Sequence, residues 1–259
     1  AVVGSQPFGG EGLSGTGPKA GGPHYVARLT QPVVRFGAGP KSSTSETGGE
    51  VDGTQLAEAW RQLVAKAPAR RSPNTSMAMA PDAVSRLATT APNWAADAIA
   101  AAARLTGEVE ICPGPTGESN DLRHVPRGAI VVVASNGEQL VASTAVALAA
   151  GNSVLAIGPG GDALAGILAG GYRLGHVSCA ASPDLAEAIA PLDPLAGVAV
   201  APSDDAIVGA LRRELARREG AIVPLITDIL SPERFVLERH VCIDTTASGG
   251  NAALLAAVE

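Results

Sequence analysis

From Gly128 onward the chain alternates short apolar, β-branched runs with helical ones, and this rhythm leaves little choice of fold. "AIVVVA" precedes a helical "GEQLVASTAVALAAGN", and "SVLAIG" precedes a helical "DALAGILAGG". Next come "HVSCAA", a helix from Pro183, "GVAVAP", a long helix "DDAIVGALRRELARREG" and a strand "AIVPLIT". Strands apolar on both faces have no side to offer to water. The order therefore predicts an α/β protein, a Rossmann-like parallel sheet covered by helices. With 46% hydrophobic residues but only 3% aromatic ones, the core must be Val, Leu, Ile and Ala in close layers. Upstream, "TQLAEAWRQLVAKA" spaces Leu56, Trp60 and Leu63 along one helical face with Thr54 as cap, and "NWAADAIAAAARL" predicts a helix over Asn93 to Leu105. The final segment, from Phe235, reads as an alternating strand followed by an Ala/Leu tail.

A net charge of −6 leaves no basic stripe for nucleic acid and no polybasic patch for anionic lipid. Cys112, Cys179 and Cys242 are odd in number and form no C-x-x-C pair, so neither a disulfide framework nor a zinc cage is expected. A reducing cytoplasm is the expected compartment. No apolar run reaches the length of a membrane span, and the first residues lack the order of a signal peptide.

Several stretches invite chemistry. "GPGGDA" has the G-x-G-x-x-A form after a strand, so Gly158 and Gly160 are candidates to hold a nucleotide phosphate at a helix N-terminus. Against this, the stretch is not the first βα turn of its sheet, and an ordinary tight turn explains it as well. His176 and Cys179, three apart in a strand, face opposite ways. His240 and Cys242 share a face but have no carboxylate beside them in sequence, so they read as an edge histidine and a buried cysteine, and no metal ligands are assigned. "RRELARRE" reads as a solvated helix face, and "CPGPTGESNDL" as a turn with an internal cap.

The glycine-rich loop Pro7 to Gly22 would by composition be an exposed linker, but "QPFGGEGLSGTGPKAGGPHYVARL", Gln6 to Leu29, resembles a segment of the proline utilization A family. That segment is the C-terminal end of the family's aldehyde dehydrogenase domain, where a loop anchors the carboxylate of the aldehyde. The resemblance implies that Gly10 and Glu11 offer backbone amides to it, with Ser14 and Gly15 close by. "GPTGESNDL", "PRGAIVVVASNGEQLVASTAVALAAGNSVLA" and "PLITD" are similar to the start and the later part of the same family's dehydrogenase, displaced and eroded. The Pro-Trp before Asn136 is missing, no lysine follows "SVLAIGP", and Asp228 stands where the general-base glutamate belongs. The stretch that would carry the nucleophilic cysteine is absent, because Ile229 to Glu233 runs directly into "RFVLERHVCID". "TTASGGNAALL", Thr245 to Leu255, resembles the end of the noncatalytic domain found in long members.

The resemblance implies three parts. Residues 1–35 complete a glutamate semialdehyde dehydrogenase domain, 36–55 form a flexible linker, and 56–259 form a noncatalytic aldehyde-dehydrogenase-like domain whose tail covers a substrate tunnel. The parent would use FAD to oxidise proline and NAD to oxidise glutamate semialdehyde. This portion would hold no catalytic residue and bind neither cofactor, with the parent's other domains, glutamate semialdehyde and a possible second copy as its partners. The alternative is a free-standing nucleotide-binding or oligomerisation module.

Overall fold

The computed structural model describes residues 5–15, 17–29, 52–66, 79–159, 161–201 and 205–244. The expected linker up to residue 51, Gly160 and the tail from Thr245 lie outside them. An opening loop closed by an antiparallel bridge between Phe8 and Ala20 leads into α1 (Tyr25–Leu29). Three helices follow, α2 (Gly53–Ala65), α3 (Pro81–Thr90) and α4 (Ala96–Gly107), and then a hairpin of β1 (Val109–Cys112) and β2 (Glu118–Pro126). The Rossmann-like part runs β3 (Ala129–Val133), α5 (Gly137–Ala149), β4 (Ser153–Ile157), α6 (Gly161–Leu168), β5 (Leu174–Val177), α7 (Leu185–Ile189), β6 (Gly197–Val200), α8 (Asp205–Ala216) and β7 (Leu225–Ile226). The last described element is β8 (Val236–Asp244).

The parallel sheet has the expected architecture, with strand order β5-β4-β3-β6-β7 and every neighbouring pair parallel. All five residues of β3 and all five of β4 are buried, which is why their sequences are continuous apolar runs. Ile130, Val132, Val154 and Ala156 point to one face, packed by α3, α4, α5 and α6. Val131, Val133, Leu155 and Ile157 point to the other, packed by α2, α7 and α8. α5 is buried nearly all round, so its sequence is apolar on every side rather than amphipathic.

One buried side chain ties the layers together. Asn152 donates through Nδ2 to Ala147 O (3.0 Å) and Phe235 O (3.0 Å), and its Oδ1 accepts from Gly128 N (3.1 Å). It thus satisfies the end of α5, the entry to β3 and the turn before β8 with one amide, as a 1% exposed polar group requires.

The structure corrects several expectations. The cap of α2 is Asp52, whose carboxylate accepts from Thr54 N and Gln55 N, so the helix starts inside the stretch expected to be linker. "CPGPTGESNDL" is a hairpin rather than a capped turn, with Cys112 paired to Asn120. Cys242 is exposed, not buried, because it lies near the end of the edge strand β8. The expected solvated helix face stops short, since α8 ends at Ala216 and Arg218 beyond it donates to Ala190 O and to Leu192 O (3.0 Å), closing the loop after α7. The strand in "AIVPLIT" shrinks to Leu225–Ile226, since Pro224 can donate no ladder hydrogen bond. α3 was not expected at all.

The antiparallel sheet, β1-β2-β8, stands apart from the parallel one. β2 and β8 pair along nine residues, from Glu118 with Asp244 to Pro126 with Val236.

Candidate functional site

The opening loop lies against this small sheet. Gln6 is buried and its amide bonds Asn120 Oδ1, while Ser5 Oγ donates to Pro113 O (2.6 Å). Glu11 pairs with Lys19 (3.2 Å) across the loop and with Arg239 (2.9 Å) on β8. A cleft of about 520 Å³ opens between Gly10, Glu11 and Lys19 on one wall and Leu225 to Asp228 and Arg234 on the other.

All four loop candidates are within the described residues and they do different things. Ser14 Oγ donates to Glu11 O (3.1 Å) and Gly15 N donates to Gly12 O (3.1 Å), so both spend these donors shaping the turn. Gly10, Glu11 and Gly15 line the cleft, and Ser14 does not. A Cβ on Gly10 would collide with the backbone carbonyl and hydroxyl of Ser14, which is a physical reason for glycine there.

Gly158 has its own explanation. Its φ is +143°, a Cβ would strike Ala134 O, and its carbonyl is 2.9 Å from His176 Nε2. The turn after β4 is thus packed against the turn after β3 and against β5. Gly160 lies outside the described residues. The positions aligned with dehydrogenase chemistry are also engaged locally. Asn136 caps α5, accepting from Gln139 N (3.1 Å), and Asp228 accepts from Ser231 Oγ (2.5 Å).

The three thiols are all pushed toward the protonated form. Burial raises Cys112, helped by Glu110 and Asp121, and burial raises Cys179. Cys242 donates to Glu118 Oε1 (2.7 Å), and this hydrogen bond is the main cause of its raised pKa. A nucleophilic cysteine needs the opposite environment, one that favours thiolate. His240, 3.1 Å from Asn120 Oδ1, is lowered first by burial and then by Lys19. Glu118 is the carboxylate beside Cys242 that sequence proximity could not reveal, since 124 residues separate them.

No family model matches the chain. It is homologous over nearly its whole length to bifunctional protein PutA. The Salmonella typhimurium protein is 32% identical over 269 residues, covering 98% of this chain and 18% of that protein. A shorter match, 65% identical over 34 residues, is to mitochondrial delta-1-pyrroline-5-carboxylate dehydrogenase of Bos taurus, 13% of this chain and 6% of that one. The chain thus spans less than a fifth of the PutA length it matches. Among solved structures, a variant of Bradyrhizobium japonicum proline utilization A superposes with a TM-score of 0.51 at 22% identity, over 68% of this chain and 21% of that one. This likeness shows a shared fold.

Proposed function

We propose, from its alignment with part of PutA, that this chain is a portion of a bifunctional proline-catabolic enzyme and itself does no chemistry. The parent polypeptide oxidises proline with FAD and then glutamate semialdehyde with NAD. Residues 1–35 complete the semialdehyde dehydrogenase domain, and Gly10 and Glu11 present amides to the substrate carboxylate. The 34-residue match to the mitochondrial dehydrogenases has the length of this segment and supports that reading. Residues 56–259 form a noncatalytic module whose tail from Thr245 covers the route of the intermediate.

The observation that carries this reading is where apolar surface is left in water. Among the described residues, nine large hydrophobic side chains are exposed, and five of them, Phe8, Leu13, Tyr25, Val26 and Leu29, belong to the opening segment. Three more, Val109, Ile111 and Ile243, are on β1 and β8. Leu13 is 86% exposed at the tip of the anchor loop. Such a concentration marks a surface that another body covers, and the remaining domains of the parent are that body. The raised thiol pKa values support the noncatalytic role.

The test uses the full-length parent carrying Gly10→Ala, with each half-reaction assayed separately. Proline oxidation should be unchanged, while KM for glutamate semialdehyde rises about tenfold or more, the scale of a lost charge-assisted hydrogen bond. An unchanged KM would refute the anchor role. Deleting Ala252 to Glu259 should introduce a lag in NADH formation from proline without altering either half-reaction; an unaltered coupled rate would refute the cover.

A further inference from the structure

The small sheet and the turn before α1 gather three of the chain's four histidines, beside Glu238, which also lines the cleft. His124 and Glu238 are direct cross-strand partners in the β2 and β8 pairing, so their side chains rise from the same face. His24, in the turn before α1, reaches this face as well, its ring centroid 5.4 Å from that of His124 at an interplanar angle of 55°. One ligand atom from each of His24, His124 and Glu238 lies within 4.8 Å of the other two. The sequence separates these residues by about a hundred positions each, so no spacing rule brings them together.

We propose that His24, His124 and Glu238 form a site for a divalent transition metal ion, with zinc the best match to two imidazoles and a carboxylate. Two features of the surroundings support a ligand set over a chance cluster. Glu238 is 6% exposed, so its carboxylate would meet an ion away from bulk water, where their attraction is stronger. Behind His24, Glu110 Oε2 is 2.9 Å from Nε2. With Nε2–H donating to Glu110, Nδ1 keeps its lone pair for the ion, and the carboxylate fixes the ring as second partners of metal-bound histidines do. The geometry needs a small closing movement, since ligand atoms of a bound ion stand nearer to one another than 4.8 Å. An ion here would fasten the opening segment to β2 and β8, closing two long loops of chain at once.

Other positions on the same face offer a rival set. Cys242 and Glu118 are in contact, and His240 is nearby on β8. The experiment therefore titrates the whole 259-residue chain, first stripped with a chelator, with Zn²⁺ by calorimetry and with Co²⁺ by visible absorption. One equivalent should bind, with a Tm that rises with Zn²⁺ concentration. His124→Asn and Glu238→Gln should each weaken binding by at least about tenfold, and Glu110→Gln by a smaller factor, while Cys242→Ser leaves it intact. Circular dichroism and the metal-free Tm of each variant check folding, and the milder Glu110→Gln keeps a readout if His124→Asn unfolds. Absence of saturable binding would overturn the assignment. So would binding that survives both ligand substitutions, or binding that Cys242→Ser abolishes.

Discussion

Asn152 and Asn120 are each 1% exposed, yet they stand in differently finished surroundings. In the parallel domain, Asn152 uses both ends of its amide and joins three pieces of chain. In the small antiparallel sheet, Asn120 Oδ1 is shared between Gln6 and His240, and its buried Nδ2 has no hydrogen-bond partner among the described residues. The same contrast holds for apolar groups. Of the nine exposed large hydrophobics, Ile222 alone lies outside the opening segment and the small sheet. Among the described residues, exposed large apolar side chains thus gather on the opening segment and the small sheet, whereas the part built on the parallel sheet buries nearly all of its own. The opening segment and the small sheet are therefore where contacts with other surfaces are to be sought.

The largest expected effect tests how firmly the two regions are joined. Phe235 is fully buried in the core of the parallel domain, immediately before β8 of the small sheet. Phe235→Ala should cost about 3–5 kcal/mol in urea unfolding, the usual range for emptying such a site. A loss below about 1 kcal/mol would mean that the strand is not anchored through this ring.

A paired substitution sharpens the contrast. Asn152→Ala removes three side-chain hydrogen bonds and strands Phe235 O and Gly128 N, while Ala147 O keeps its bond from the backbone N–H of residue 152, so a loss of roughly 2–4 kcal/mol is expected. Asn120→Ala, where one end of the amide already lacks a partner, should cost about 1 kcal/mol. Equal losses, measured by the same denaturation, would break the comparison.

The smallest effect concerns Cys242. Hydrogen bonding to Glu118 raises its pKa, so at neutral pH less thiolate is present than in a free cysteine, and alkylation should be slow despite exposure. The rate should climb as pH rises toward the raised pKa. Glu118→Gln removes the negative acceptor, lowers the thiol pKa and should speed labelling severalfold at neutral pH. A rate that the substitution leaves unchanged would show that Glu118 does not control the thiol.

Much of the parallel domain was legible because burial on both strand faces writes itself into consecutive residues. "AIVVV" and "SVLAI" are β3 and β4, and Leu56, Trp60 and Leu63 are the buried stripe of α2. α3 is not legible from periodicity, since Leu87 is its one fully buried side chain and makes too thin a stripe. A signal was present: Pro81 in the first turn with Asp82 beside it, a pairing that favours a helix start. Thr54, the expected cap of α2, instead lies inside the helix, and the Asp52 carboxylate takes the role.

The resemblance of Gln6 to Leu29 pointed to the loop, but not to its setting. That Glu11 meets Arg239, that Gln6 meets Asn120, and that Glu118 meets Cys242 depend on the pairing of β2 with β8. The layered parallel fold can be read from the residues alone, because helix and strand periods are local and repeat within a few residues. Which histidines, carboxylates and thiols become neighbours emerges in the folded chain. Those contacts join residues 86 or more positions apart, and such pairings follow from the closure of the whole chain rather than from any local pattern.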